Sequence, residues 1–174
     1  MFKLVAIIAL SAVALVAQGP KYGLGRPATA ADEAAAGYAV PPSGEGLPQG
    51  AGTAAEGKRV YEAKCRECHG VEGRGDEQAA LVGTHADLNA NPPKKSVGSY
   101  WPYATTLWDY INRAMPFKQP GSLSTDEVYA VSAYILHLNG LMGEKEPLNE
   151  KTLPAVKMPN REGFVLDDRP ASRP

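Results

Sequence analysis

The chain's two cysteines fall in one short stretch, Cys65-Arg66-Glu67-Cys68-His69. This Cys-x-x-Cys-His spacing is that of covalent c-type haem attachment. One helical turn carries Cys65 and Cys68 to the same face, where each thiol can add to one haem vinyl group. His69 then presents its imidazole to the iron as the proximal ligand. Three other chemistries use similar residues. A zinc site needs more ligands; among histidines only His85 and His137 remain, and adjacent Cys68 and His69 do not easily bind one metal. A thioredoxin-like redox pair needs βαβ patterning nearby, which is absent. A disulfide here closes a four-residue loop and adds little stability. One motif means one haem c.

Iron that transfers electrons rather than binding small molecules needs a ligand on its other side. Met115 is the candidate. Pro116 disfavours the α region at Met115, so a helix should stop there and the side chain should turn out on an extended segment. Met142 and Met158 read as packing residues. His85 sits in a polar loop and would ligate only if that loop folded over the iron. His137 lies about 130° from the apolar stripe of its helix, which makes it a surface residue. Phe117, Trp101 and Trp108 are candidate walls of the haem pocket, Tyr100 or Tyr103 candidate partners of a propionate, and Arg113 a candidate counter-charge. Packing, and for Arg113 a solvated surface position, are the simpler readings of each.

Three helices must position these groups. Thr53-x-x-Glu56 is a capping box opening a helix that runs into Cys65, with Gly57, Val60 and Tyr61 on one face. Thr106 to Ala114 reads as a shorter helix carrying Leu107, Ile111 and Ala114 at helical spacing. Ser124-x-x-Glu127 is a second capping box; its helix has Val128, Val131, Ile135 and Leu138 in one stripe and Gly140 as C-cap. No stretch alternates with period two for long enough to make a sheet, so the fold class is all-α.

The Gly57/Tyr61 helix leading into the Cys65 to His69 motif, together with the Val131/Tyr134/Ile135 helix, resembles a class I cytochrome c over roughly Thr53 to Met142. The resemblance implies a small residue on the first helix crossing closely over an aromatic on the last, places that Gly57 and Tyr134 would fill. It also implies a distal methionine before the last helix, where Met115 stands. Family members often carry Pro-x-Leu-x-Gly after the haem motif, with the proline carbonyl accepting the proximal histidine's Nδ1 proton. Here the stretch is Ala79-Ala80-Leu81-Val82-Gly83. A carbonyl can serve without proline, so the departure bears on the stiffness of the loop.

Gly and Pro make up 33 of 174 residues, and their distribution divides the chain. Lys3 followed by the apolar run Leu4 to Ala17 reads as a signal peptide over residues 1–17, or an uncleaved anchor, since no ideal A-x-A site follows closely. Residues 18–52 hold 13 Gly and Pro in 35 positions and read as a flexible linker. Residues 53–142 form the haem domain, with nine of the thirteen aromatics between Tyr61 and Tyr134. Residues 143–174, with too few apolar residues for a core of their own, read as an extended tail lying over the haem domain or a partner. Export places the remainder in the bacterial periplasm. A net charge of −1, with no basic excess in any region, excludes nucleic acid as a partner class.

The long stretch Val97-Gly98-Ser99-Tyr100-Trp101-Pro102-Tyr103-Ala104-Thr105-Thr106-Leu107-Trp108-Asp109-Tyr110-Ile111-Asn112-Arg113-Ala114-Met115-Pro116-Phe117 is more specific than a haem motif. With Asp126 to Ala130 and Met158 to Phe164, it resembles the cytochrome subunits and acceptors of bacterial sulfite dehydrogenases and the cytochrome part of the sulfane dehydrogenase of thiosulfate oxidation. Members of the sulfane dehydrogenase branch commonly carry a second haem motif, which this chain lacks. The resemblance implies a non-catalytic electron acceptor for a molybdenum enzyme oxidising sulfite or a related sulfur compound, discharging to a downstream cytochrome or oxidase. A general electron shuttle, a catalytic haem protein such as a peroxidase, and a structural or anchoring subunit are the alternatives.

Overall fold

The computed structural model describes residues 22–32, 37 and 39–166, so the expected signal segment at 1–17 lies outside the described residues. The chain divides into two units, Met1–Gly37 and Tyr38–Pro174. In the first, the Asp32 carboxylate accepts from Arg26 and from the Thr29 amide, the latter at 2.8 Å. Among the described residues no helix is long and apolar enough to cross a membrane.

The second unit is built on four helices: α1 (Ala54–Lys64), α2 (Arg66–His69), α3 (Ala104–Ala114) and α4 (Thr125–Leu138). Short 3-10 turns at Val71–Gly73, His85–Asn89 and Leu153–Ala155 punctuate the connections. Both capping boxes form. Thr53 Oγ1 accepts from Glu56 N at 3.3 Å while Glu56 Oε2 accepts from Thr53 N at 2.8 Å; Ser124 and Glu127 repeat the exchange at 3.3 and 2.8 Å. Each box satisfies two amides that the first helical turn leaves without partners. Helix α3 begins at Ala104, two residues before the expected start, because Ala104 and Thr105 are buried against the core. At the end of α4, Gly140 takes φ 71°. Its amide reaches the His137 carbonyl at 2.8 Å and the Leu141 amide reaches the Leu136 carbonyl at 3.0 Å, a Schellman closure.

Helix α4 is buried on more than the one stripe its sequence pattern suggests, with every residue from Val128 to Leu136 enclosed. On one side α1 crosses it; on others lie α3 and the pair of two-residue strands β1 (Ala51–Gly52) and β2 (Leu148–Asn149). The strands are antiparallel, with Ala51 opposite Asn149 and Gly52 opposite Leu148. They join segments outside the three-helix core without changing the all-α class.

At the α1–α4 crossing, a Cβ added to Gly57 would lie 1.8 Å from the Ala130 carbonyl oxygen and 2.9 Å from Tyr134 Cβ. Only hydrogen fits there. The close approach brings the Tyr61 and Tyr134 rings to 5.3 Å between centroids. This is the small-residue-over-aromatic crossing that the class I resemblance implies.

The flanking segments are laid onto this frame. Residues 39–52, expected to belong to a flexible linker, are held where the structure describes them. The Val40 amide donates to Asp109 Oδ1 at 3.2 Å, Tyr129 Oη donates to the Pro48 carbonyl at 2.9 Å, and the Ala51 amide donates to Asp126 Oδ1 at 2.9 Å. Val40 and Leu47 pack against the core. Composition alone hid this, because a few apolar residues among glycines and prolines suffice when the surface they meet already exists. The tail contributes Leu148, Leu153 and Met158 to the core itself. Beyond them Asn160 Nδ2 donates to the Tyr100 carbonyl at 2.7 Å, Phe164 packs edge-on to Tyr100, and the Arg161 guanidinium stands 4.4 Å over the Tyr103 ring.

Gly57→Ala separates packing from propensity. Helix propensity alone would stabilise α1 by roughly 1 kcal/mol, whereas overpacking a closed contact costs about 1–3 kcal/mol or more. The contact should win, with chemical denaturation showing a net loss of about 2 kcal/mol; unchanged or increased stability would mean the helices are not in backbone contact.

Candidate functional site

The site begins where α1 ends. Cys65 is at once the C-cap of α1 and the residue before α2, and its φ of −122°, outside the helical range, marks the bend between them. Its carbonyl accepts from the amides of both Cys68 and His69, at 3.2 and 3.0 Å. The two thiols, one helical turn apart, are free and half-buried. Burial, the largest influence, pushes the Cys65 thiol up to about 11. A redox pair or thiolate nucleophile requires the opposite shift, so the environment disfavours the thioredoxin-like reading.

After His69 the chain reverses at Gly70 and folds back over α2. The Gly75 amide donates to the His69 carbonyl and the Gln78 amide to the Cys68 carbonyl, both at 2.9 Å. This return delivers the Ala79 carbonyl to 3.2 Å from His69 Nδ1. With Nδ1 as the donor to that carbonyl, Nε2 is the nitrogen whose lone pair is left for a metal. The carbonyl is thus supplied by alanine, at the position where the class I resemblance leads one to expect proline. From the other side, the buried Tyr61 hydroxyl donates to the Gly70 carbonyl at 2.9 Å, tying the start of the return to the helix crossing.

Met115 enters from α3. Its amide still closes that helix by donating to the Ile111 carbonyl at 3.1 Å, but its own φ and ψ are −119° and 149°, extended, as Pro116 demands. The side chain is half-buried at the edge of the core. The loop beyond it lies beside the cysteine motif: Lys118 Nζ is 3.7 Å from Glu67 Oε1. An exposed pair of this kind contributes little energy, but it reports that residues 51 positions apart in sequence are neighbours.

The other expected contributors are placed differently. His85 is exposed at the start of a 3-10 turn. His137, expected at the surface, is half-buried with Nδ1 3.1 Å from the Met142 carbonyl, because the chain turns back over it after Gly140. Met142 and Met158 pack against the core. Trp108 is a core residue between α3 and α4, its ring 5.4 Å from that of Tyr129. Trp101 is half-buried and meets Tyr110 edge-on. Tyr100 and Tyr103 are engaged by Phe164 and Arg161 of the tail. Arg113 donates to Asp109 Oδ1 at 2.9 Å. Phe117 is 82% exposed in the protein alone. A turn closed by Gln119 N on the Pro116 carbonyl puts it at a corner, where side chains project outward.

The donor set fits haem c: two thiols one turn apart, the adjacent imidazole with Nδ1 engaged, and a thioether on a neighbouring segment. Among the described residues no group of three or more His, Cys, Asp or Glu gathers as a metal cluster would require. Among the described residues, the buried Thr105 Oγ1, Trp108 Nε1 and Ser132 Oγ have no hydrogen-bond partner. Leaving such a group unpaired costs about 1–3 kcal/mol. Sequence reasoning missed Asn139, which binds the loop beside His69; the only local sign was the Asn-Gly pair closing α4. Asn160 and Arg161 stand out in the sequence only as part of the Met158 to Phe164 stretch, with no role assigned to either.

Comparison with known proteins gives three matches. The Cytochrome c family profile matches residues 54–139. Thiosulfate dehydrogenase of Psychrobacter arcticus is 31% identical over 86 residues, which are 47% of this chain and 25% of that protein; the match thus spans about a quarter of that relative's length. The crystal structure of the sulfane dehydrogenase SoxCD from Paracoccus pantotrophus superposes with a TM-score of 0.75 at 41% identity, covering 86% of this chain and 74% of the other.

Burial pushes the Tyr61 hydroxyl, like that of Tyr129, up to about 12. An exposed tyrosine in the unfolded chain titrates near 10. The folded state therefore holds these protons more tightly, and the resulting stability is complete below about pH 10 and lost as pH rises towards about 12. Denaturation midpoints should fall across that interval. Tyr61→Phe should reduce this fall, with Tyr129 and Tyr134, whose hydroxyls burial also shifts upward, supplying the remainder, and should cost about 1–2 kcal/mol at neutral pH by stripping the Gly70 carbonyl of its donor.

Proposed function

For a chain that belongs to the cytochrome c family, with the class I fold and covalently bound haem c, we propose the role of a periplasmic single-electron carrier for sulfur-compound oxidation. In this reading its donor is a molybdenum enzyme that oxidises sulfite or a related sulfur compound, and its acceptor is a downstream cytochrome or oxidase. The chain itself performs no transformation of the sulfur compound. The observation that carries the reading is the 41% identity with a sulfane dehydrogenase structure over 86% of this chain, well beyond the span of a haem motif.

Bound here, haem c supplies a one-electron ferric/ferrous couple whose potential follows its axial ligands. Cys65 and Cys68 would hold it by thioether bonds, and His69 Nε2 would ligate its iron. The Ala79 carbonyl fixes the tautomer and orientation of that imidazole. Met115 would supply the second iron ligand, and its thioether would favour the ferrous state more than a second imidazole.

Two experiments test this assignment. Met115→Ala should leave haem attached, abolish the methionine-to-ferric-iron charge-transfer band and lower the reduction potential; an unchanged potential and spin state would refute the distal assignment. Mixing the oxidised protein with a molybdenum sulfite or sulfane dehydrogenase and its substrate should give the reduced spectrum at a rate proportional to enzyme. Failure with both enzymes, while a chemical reductant still works, would leave a carrier outside sulfur oxidation.

A further inference from the structure

The carbonyl facing His69 belongs to a loop, residues 75–83, that contains no proline. Proline at position 79 would fix φ there, and alanine does not. Downstream, the amides of Leu81 and Val82 donate to the Gly73 carbonyl at 2.8 and 3.1 Å, which secures one side of the loop. On the other side stands Asn139, the residue that ends α4. Its Oδ1 accepts from the Gly83 amide at 3.1 Å, and its Nδ2 donates to the Leu81 carbonyl at 3.3 Å and the Ile135 carbonyl at 2.8 Å. Both amide protons and the amide oxygen are thus used, two bonds on the loop and one on the helix. The reach needs space: a Cβ on Gly98 would lie 1.9 Å from Asn139 Oδ1 and 2.4 Å from the Gly83 carbonyl.

We propose that Asn139 is a positioning residue for the proximal ligand, which by clamping Leu81 and Gly83 to the end of α4 does in tertiary contact what proline at position 79 does locally. The proposal rests on His69 being the proximal ligand. Held in place, the Ala79 carbonyl keeps His69 Nδ1–H bonded and its imidazole more basic, which favours ferric iron. Released, the loop lets that bond open, and the potential rises. A packing role alone would change stability and leave the histidine bond intact. Asn139 is half-buried and borders a cleft of about 390 Å³ lined also by Arg74, Val82 and Leu138, so shortening it does not empty a dense core.

The test uses full-length holoprotein and reads the exchange rate of His69 Nδ1–H by NMR in the reduced state, together with the reduction potential. Asn139→Ala should speed exchange about tenfold, the equivalent of one lost hydrogen bond, and raise the potential while haem content and the Met115 band persist. Adding Ala79→Pro to that variant should restore both readings. Among the described residues the Ala79 amide donates no hydrogen bond, so proline removes none. Should Asn139→Ala give no holoprotein, Asn139→Asp, which keeps the acceptor for Gly83 and loses the donors, is read the same way. Exchange and potential unchanged from the parent would overturn the proposal, as would changes that proline fails to reverse. If His69 is not on the iron, its ring protons lack the haem ring-current shift in the parent protein, which overturns the ligand assignment itself and is visible before any variant is made.

Discussion

The backbone contact between α1 and α4 at Gly57 and Ala130 is the constraint on which the rest of the domain depends. A side chain of even one carbon on Gly57 would hold the helices apart. Because they touch, Tyr61 lies one turn later against Tyr134, and its hydroxyl reaches the Gly70 carbonyl. Gly70 is the residue where the chain turns back after His69. A steric fact at one end of α1 is thus passed to the ligand-bearing turn at the other through a single buried aromatic.

Two independent elements then meet that frame. Helix α3 packs on α4 and ends at Met115, whose extended backbone follows from Pro116. The return loop after α2 brings the Ala79 carbonyl to His69 through hydrogen bonds to carbonyls that the short helix α2 leaves unused. The backbone positions of His69 and Met115, the two proposed ligands, therefore both derive from helix termini. A terminus is where backbone groups lack partners and direction can change within one residue.

The parts legible in sequence were those with local causes. Capping boxes at Thr53 and Ser124, the stop at Met115, the glycine closing α4 and the Cys-x-x-Cys-His spacing each act within a few residues, and each is where the pattern indicates. Other features have causes far along the chain. Burial of α4 on several faces needs β1, β2 and the tail, and Trp108 takes its place from Tyr129. The engagement of Tyr100 and Tyr103 comes from residues about sixty positions later. A glycine- and proline-rich segment such as 39–52 reads as linker because composition records what a segment lacks. It does not record what surface awaits it.

The Asn139 side chain bonds the Gly83 amide across 56 residues and the Leu81 carbonyl across 58. Contacts of that separation form late, since a long loop must close before they repay its entropy. A chain made from its N-terminus has Cys65 to Gly83 in hand well before the end of α4 exists. Until α4 is complete, the loop that carries the Ala79 carbonyl is without its bonds to Asn139. The rigidity that later holds the histidine arrives only once the last helix has docked.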